Sequence, residues 1–215
     1  LGTDRQIQAR VHISFLGKFY RNDDKDFTRV AYLKPDEEMV AWWREWLGKY
    51  PRPWIGISWH GGIQNTQAHL RSVELEDMAP VMRIGGTCFD LSYRDNRLEV
   101  SRWNIDHEEQ IVVPKVNDGE FDATVSLVAA LDEVVTVTTT VAHVCGALGR
   151  SAYVLVPSVP QWRYATRHGK DGDEMIWYPP GSVRTYRQLP GEEWKWAVKR
   201  AAKDLGTKGN MERNL

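Results

Sequence analysis

Cysteine is scarce in this sequence, and no hydrophobic run is long. The 215 residues include two cysteines, Cys88 and Cys145, which lie far apart in the chain. Two such residues exclude a disulfide-stabilised scaffold and suit a reducing compartment, so we expect a cytoplasmic protein. No apolar stretch approaches the roughly 20 residues that a membrane-spanning helix needs. The sequence therefore predicts neither a disulfide framework nor a membrane span.

An excess of charge of either sign is also missing. Lys and Arg number 28 and Asp and Glu number 29, which gives a formal net charge of −1. This balance argues against binding of nucleic acid through bulk positive charge. The chain begins at Leu1 and shows no basic segment followed by an apolar stretch, so we expect no signal peptide. A fragment or a processed product is one interpretation of such a start.

The motifs of several enzyme classes are absent. Neither G-x-G-x-x-G nor the Walker A pattern occurs, which disfavours an oxidoreductase of the dinucleotide-binding type and a P-loop NTPase. G-x-S-x-G is missing too, which argues against an α/β-hydrolase. The six histidines, at positions 12, 60, 69, 107, 143 and 168, show no metal-ligand spacing, so we expect no metal site.

Tryptophan, in contrast, is abundant, with 10 residues. Trp43 and Trp46 follow the apolar stripe of a predicted helix, Trp54 opens a predicted strand, and Trp194 lies on the apolar face of the last predicted helix. We expect these four side chains to be buried in the core.

Hydrophobic periodicity predicts alternating strands and helices. Residues 10–16 alternate apolar and polar side chains as a strand does, and residues 158–190 are predicted to be irregular. Ser72 and Asp122 are candidate N-caps, and Gly149 is a candidate C-terminal glycine. The further predicted strands are 54–59, 87–92, 110–114, 133–137 and 152–156, and the predicted helices are 35–47, 73–83, 122–131, 139–148 and 192–205.

Near-continuous apolar strands that alternate with helices indicate a parallel sheet with helices on both faces. We therefore predict an α/β, Rossmann-like fold over residues 34–205. Residues 1–33 are interpreted as the remnant of a preceding domain or linker, and residues 206–215 as a polar tail.

The turn at residues 137–143 is the clearest candidate site. It passes from a strand into a helix through Thr138, Thr139 and Thr140, with His143 one turn further on. The free N–H groups and the dipole at a helix start favour a phosphate, and three hydroxyls add donors. The alternative is that one threonine caps the helix while the others end the strand, and that His143 is a hydrogen-bonded structural residue.

Two further segments are predicted at the same edge of the sheet, because ligands of open parallel sheets bind beyond the carboxyl ends of the strands. The first is the loop with Trp59-His60-Gly61-Gly62, whose glycines let the backbone approach a ligand closely. Arg71, near the end of that loop, is a candidate phosphate ligand or a surface arginine. The second segment is 91–95.

Six segments in the same order resemble the C-terminal half of GT-B glycosyltransferases of the heptosyltransferase type. The longest, residues 131–149, reads LDEVVTVTTTVAHVCGALG and resembles the family pattern LDLVITVDTAVAHLAGALG. Residues 55–61, 71–75, 91–93, 160–164 and 177–188 resemble IGLVWSG, RSIPL, SLQ, PDWRW and WYP…MRLFRQ. Similar domains recur in bacterial tetratricopeptide-repeat proteins that resemble O-linked N-acetylglucosamine transferases.

The resemblance implies a site for a nucleotide-diphosphate sugar, which is a substrate, so that no resident cofactor is expected. It places the diphosphate on the helix start at Thr138, Thr139 and Thr140, and it makes Arg71 the basic residue of the site. Arg71 and His143 are then the implied catalytic residues. The remaining implied contacts to the nucleotide sugar are Trp59, His60, Gly61, Ser92 and Tyr93, the last two near the base or ribose.

The chain departs from the family in two ways. Thr138 stands where the family has an aspartate, and only residues 1–30 could belong to the N-terminal half that usually carries the general base. The hypothesis is therefore the donor-binding half of a metal-independent glycosyltransferase, incomplete alone, with a missing N-terminal domain or a partner chain. The alternative is a non-catalytic module that binds a nucleotide or a nucleotide sugar.

Overall fold

A seven-stranded sheet forms the centre of the computed structural model, which describes residues 10–62, 67–116, 120–164 and 170–213. The strands are β1 (Trp54–Ser58), β2 (Thr87–Asp90), β3 (Ile111–Val112), β4 (Glu133–Val137), β5 (Ala152–Val156), β6 (Asp173–Glu174) and β7 (Val183–Arg187). Their order across the sheet is β3-β2-β1-β4-β5-β7-β6. Every pair is parallel except the pair of β6 with β7. The predicted α/β, Rossmann-like fold is confirmed.

The described residues also form seven α-helices. They are α1 (Leu16–Tyr20), α2 (Glu37–Leu47), α3 (Ala79–Met82), α4 (Arg97–Asp106), α5 (Phe121–Ala130), α6 (Thr140–Leu148) and α7 (Trp194–Arg213). No helix in the described part of the chain combines the length and hydrophobicity that crossing a bilayer requires.

The core consists of two hydrophobic clusters, one on each face of the sheet. Val134 and Val154 belong to the cluster that includes α2, α5 and α6. Val135 and Tyr153, their neighbours along the strands, belong to the cluster that includes α3 and α7. This separation follows from the strand geometry, since successive side chains point to opposite faces. Both faces are buried, which explains why the strands read as continuous apolar runs.

Helix α2 shows how the sequence pattern produces one of these layers. The Asp36 carboxylate accepts a hydrogen bond from Met39 N–H at 3.0 Å and so caps the helix start. Trp43 is buried, and its indole N–H donates to the Ala123 carbonyl at 3.2 Å, which ties α2 to α5. Burial is confirmed for Trp43 and Trp54, whereas Trp46 and Trp194 are half-buried at the margins of the two clusters.

The strand predicted for residues 10–16 is wrong. This segment forms a 3₁₀ turn, Ile13–Phe15, followed by α1. None of its described residues pairs with the sheet, and Ile13 and Phe19 are largely exposed. Alternation of side chains predicts a strand only where a neighbouring strand can complete the hydrogen bonds.

Other predicted boundaries also need correction. The helix predicted at 73–83 is a 3₁₀ turn, Leu75–Met78, followed by the short α3, and Ser72 does not cap it. Helix α5 begins at Phe121, so Asp122 lies in its first turn instead of at the N-cap. Helix α7 starts later than predicted and continues through most of the predicted polar tail. Residues 158–190 are not wholly irregular, because they include β7.

Candidate functional site

A pocket of about 250 Å³ lies at the carboxyl edge of the sheet, where β1 and β4 are neighbours. From β1 the chain continues through β2 and β3 on one side, whereas β4 leads to β5 and β7 on the other. Ligands of open α/β sheets bind at such a reversal of strand order. We call this the threonine pocket; its described lining is Gly62, Arg71, Tyr93, Thr138, Thr139, Thr140, His143, Gln161, Arg163 and Tyr164.

The floor of the threonine pocket is the start of α6. Thr139 occupies the N-cap position in extended conformation but makes no side-chain capping hydrogen bond. Its hydroxyl instead shares a 3.1 Å hydrogen bond with the hydroxyl of Thr136. The first turn of α6 contains no acidic residue, so neither a side-chain cap nor a carboxylate neutralises the positive end of the helix. This result differs from the alternative in which a threonine hydroxyl caps the helix.

Thr138 contributes a second unusual feature to the floor. Its side chain is 6% exposed, and its hydroxyl oxygen is buried without a hydrogen-bond partner in the described chain. A buried hydroxyl that makes no hydrogen bond is costly, because it has given up water without replacement. Thr138 is also one of the residues that line the pocket.

Arg71 lies at the threonine pocket because the residues that follow it hydrogen-bond to the first residues after β1. Val73 N–H donates to the Trp59 carbonyl at 2.8 Å, and Gly61 N–H donates to the Ser72 hydroxyl at 3.1 Å. A Cβ at Gly61 would lie 2.4 Å from the Arg71 carbonyl oxygen, so the close approach requires glycine. The half-buried Arg71 is thereby held opposite the start of α6.

The far wall of the pocket comes from the segment after β5. Gln161, Arg163 and Tyr164 lie there, and Arg163 is exposed. Their residue types and spacing in the sequence predict no site there, although residues 160–164 form one of the six segments that carry the family resemblance. None of the ten described lining residues has a carboxylate, whereas two have guanidinium groups. The pocket is therefore electrostatically suited to an anion.

His143 is held between two tyrosines. Its Nδ1 lies 2.6 Å from the Tyr178 hydroxyl, and its Nε2 lies 2.9 Å from the Tyr164 hydroxyl. Burial, together with the charge of Arg163, lowers the pKa of His143 to about 4, so the ring is neutral at pH 7. A neutral imidazole donates through one nitrogen and accepts through the other. Both nitrogens are therefore engaged within the protein, in agreement with the structural interpretation of this residue; a catalytic role remains a prediction.

Tyr93 marks the β2 side of the pocket. Its hydroxyl donates to the Gly62 carbonyl at 2.7 Å, and the Arg94 guanidinium donates to the same oxygen at 2.5 Å. The ring is 63% exposed. These two hydrogen bonds hold Gly62, near the start of the loop after β1, and the Tyr93 ring remains exposed at the pocket rim.

The other predicted contacts lie behind this lining. Trp59 is fully buried, and its indole N–H donates to Glu99 at 3.1 Å. The other oxygen of that carboxylate lies 2.8 Å from His60 Nε2. Trp59, His60 and Gly61 thus support the loop that carries Arg71. Ser92 N–H donates to the Asp90 carboxylate at 2.7 Å, which shapes the turn before Tyr93.

Across the described residues, no three His, Cys, Asp or Glu side chains come together in a group that could hold a metal ion. His168 lies outside the described residues. The positive charge available at the threonine pocket comes from the α6 start and the two arginines.

The fold and the site define a Rossmann-like α/β domain whose switch-point pocket has two arginines and no carboxylate among its described lining residues. The chain is similar to Protein FlbA of Caulobacter vibrioides, with 26% identity over 181 residues. The match covers 82% of this chain and 29% of FlbA, so the chain spans less than a third of the length of that relative. No protein-family model and no solved structure matches it.

Proposed function

We propose that the threonine pocket binds the diphosphate of a nucleotide sugar and that the chain is the donor-binding half of a glycosyltransferase. The observation that carries this proposal is the uncapped start of α6, which opens into a pocket with two guanidinium groups and no carboxylate among its described lining. A diphosphate needs N–H donors and positive charge that are fixed before it arrives, and this arrangement offers both. The resemblance of residues 131–149 to the heptosyltransferase pattern supports the same assignment.

The proposed chemistry follows from the leaving group. Transfer of the sugar breaks the bond between its anomeric carbon and the diphosphate oxygen, so negative charge develops on the nucleoside diphosphate. The N–H groups of α6, together with Arg71 and Arg163, would stabilise that charge in place of a metal ion. Residues 10–33 form only short helical turns and irregular structure, not a second α/β half. The acceptor site and the general base are therefore proposed to come from another domain or chain.

The order of the lining residues suggests how the donor lies. Tyr93 belongs to the β2 side, the threonines belong to the β4 end, and Arg163 follows β5. With the diphosphate on the threonines, the nucleoside would lie toward Tyr93, whose exposed ring can stack on a base. The sugar would then lie toward Arg163 and His143.

One observation favours a non-catalytic binding module. Thr138 replaces the aspartate of the family pattern, and no carboxylate appears among the described lining of the pocket. Such a module would bind a nucleotide sugar without releasing the diphosphate. Release of UDP, GDP or ADP from the matching nucleotide sugars, measured with the chain inside its full-length protein, separates the two functions.

Substitution of Thr138 by Val tests the pocket directly. The change removes the unpartnered hydroxyl and keeps the shape of the side chain, so the free energy of unfolding should stay the same or rise. Binding of UDP, GDP or ADP, measured by calorimetric titration, should weaken by roughly tenfold or more, because a hydrogen bond to a charged group is worth about 1.5–3 kcal/mol. Thr124→Val, the same change on α5, is the matched control.

Arg71→Ala should weaken diphosphate binding by roughly one to two powers of ten. The double substitution of Thr139 and Thr140 by valine should weaken diphosphate binding less, because the backbone donors of α6 remain. Arg44→Ala, an exposed arginine on α2, controls for loss of net positive charge. If a folded wild-type chain binds none of the three diphosphates, the proposed self-sufficient donor site is wrong. If Arg71→Ala binds them as the wild type does, the phosphates lie elsewhere.

A further inference from the structure

A larger cavity, of about 480 Å³, lies beside the threonine pocket. The two share His143 and Arg163, so they meet at those side chains. We call it the aromatic cavity; the rest of its described lining is Arg21, Phe27, Thr28, Tyr32, Trp162, Trp177 and Tyr178. Trp162, Trp177 and Tyr178 lie in segments that carry the family resemblance, but the resemblance gives them no role in the site. The proposed diphosphate site does not use the lining residues that belong to this cavity alone.

Three of the rings in the aromatic cavity form a corner. Trp177 meets Phe27 at a centroid distance of 4.9 Å and an angle of 81°, and it meets Trp162 at 5.6 Å and 71°. A flat base held between two rings needs parallel walls, which edge-to-face contacts do not provide. A pyranose ring needs a single aromatic face for its C–H groups and polar groups around its rim. The corner of Phe27, Trp162 and Trp177 therefore suits a pyranose ring better than a flat base.

The polar groups of the cavity are suited to hydroxyl oxygens. Arg21, Arg163 and Thr28 can donate hydrogen bonds, and the Arg21 guanidinium lies 5.7 Å from the Phe27 ring centroid. Trp162 is 65% exposed and so presents its ring to a ligand without further opening. The cavity thus combines an apolar face with donors at its edge, as sugar binding requires.

The N-terminal segment that supplies Phe27 and Thr28 is attached firmly to the domain. The N–H groups of Tyr32 and Leu33 both donate to the Ala147 carbonyl at the end of α6, at 2.9 and 3.0 Å. Arg29 forms a 2.8 Å ion pair with Glu174 and donates to the Tyr178 carbonyl at 3.4 Å. These contacts, at residues 29, 32 and 33, hold the C-terminal end of the segment that forms this wall against the α/β domain.

We infer that the aromatic cavity is the subsite for the pyranose ring of the nucleotide sugar, with Phe27, Trp162 and Trp177 as its stacking surface. This inference rests on the proposed function, because the diphosphate in the threonine pocket places the sugar beyond Arg163. It also assigns the segment 21–32 to the site, so residues outside the sheet determine which sugar fits.

The test separates sugar binding from diphosphate binding. Calorimetric titrations compare UDP with UDP-N-acetylglucosamine, GDP with GDP-mannose and ADP with ADP-glucose, each on the wild type, Trp162→Ala and Phe27→Leu. Trp162→Ala should weaken the binding of at least one nucleotide sugar by about tenfold, while the affinity for the matching diphosphate changes by less than about twofold. Phe27→Leu should show the same selectivity with a smaller loss. Trp196→Ala, a partly exposed tryptophan on α7, should change neither ligand.

The outcomes distinguish this inference from the proposed function. If a diphosphate binds and Trp162→Ala weakens it as much as its nucleotide sugar, or weakens neither, the sugar subsite is wrong while the diphosphate site stands. If no diphosphate and no nucleotide sugar binds the folded wild type, the proposed function fails and the sugar subsite fails with it.

Discussion

A single glycine, Gly146, determines how His143 packs with Tyr164 and Tyr178, the three side chains that we call the His143 cluster. A Cβ at Gly146 would lie 2.2 Å from the nearest ring atom of Tyr178, so the ring lies directly against the backbone of α6. Gly146 is one turn after His143, and from this position the Tyr178 hydroxyl reaches the imidazole. The glycine therefore serves packing rather than backbone flexibility.

Gly146→Ala should displace the Tyr178 ring and break its hydrogen bond to His143. We expect a loss of about 1–3 kcal/mol in the free energy of unfolding, which is typical of overpacking. The matched control is Gly206→Ala on α7, where no atom lies within 4 Å of the added Cβ. There the change should stabilise the helix by about 0.5–1 kcal/mol. Denaturant unfolding of both variants checks the prediction, and effects of the same sign would contradict it.

Two adjacent tryptophans on α2 allow a second comparison. Trp43 is 2% exposed and hydrogen-bonded to Ala123, whereas Trp42 is 54% exposed. Trp43→Ala should cost roughly 3–5 kcal/mol, because it leaves a cavity between α2 and α5. Trp42→Ala should cost less than about 1 kcal/mol. Equal losses in denaturant unfolding would mean that the packing face of α2 is assigned wrongly.

At the scale of elements, hydrophobic periodicity predicted the strands correctly where burial alone determined which residues are apolar. Strands β1, β4 and β5 are buried on both faces, so they read as apolar runs and were predicted to within a residue. Helix α4 was missed because only Val100 and Trp103 face the core, while Leu98 and Ile105 are exposed. Strand β7 was missed because it is rich in polar residues: Thr185 donates to the Asp173 carbonyl, and Tyr186 donates to Asp204.

The end of α7 gives the prediction at this scale. Lys208 lies 2.5 Å from a carboxylate oxygen of Glu133, at the start of β4, and 3.3 Å from the Ser151 hydroxyl. Glu133 is 9% exposed at its side chain, so loss of Lys208 would leave a buried charge without its ion pair. Lys208→Met should destabilise the protein by about 1–3 kcal/mol. Lys203→Met, at an exposed site on the same helix, should be nearly neutral in thermal unfolding; an equal loss there would exclude the ion pair as the cause.

At the scale of the whole molecule, the candidate site depends on the strand order. The sequence placed the β1 loop, the turn before Tyr93 and the threonine turn at one edge, because carboxyl ends of parallel strands meet there. It did not reveal that Arg163 and the segment around Phe27 complete the surroundings of His143. Phe27 lies more than 100 residues before His143, and Arg163 follows β5 in a segment without a strand or helix pattern. Irregular segments carry no periodicity from which such contacts can be predicted.

The His143 cluster also couples the stability of the whole domain to pH. Its pKa is lowered to about 4 in the fold by burial and by Arg163, whereas an unfolded histidine has a pKa of about 6.5. Between these values the unfolded chain binds the proton and the folded chain does not, so stability is fully present above pH 6.5 and is lost as the pH falls toward 4. Burial raises the pKa of the Asp90 and Asp171 carboxyls. These two groups act in the opposite direction, because the folded chain binds their protons more tightly and so gains stability as the pH falls.

His143→Gln isolates this contribution, because the amide can still hydrogen-bond to Tyr164 and Tyr178 but does not titrate. A pKa difference of about 2.5 corresponds to about 3 kcal/mol. The free energy of unfolding of the wild type should therefore fall by about that amount more than that of His143→Gln between pH 6.5 and 4, with the carboxyl contributions common to both proteins. Urea denaturation at half-unit pH steps measures the difference. Parallel curves for the two proteins would show that His143 is not held neutral between its two tyrosines.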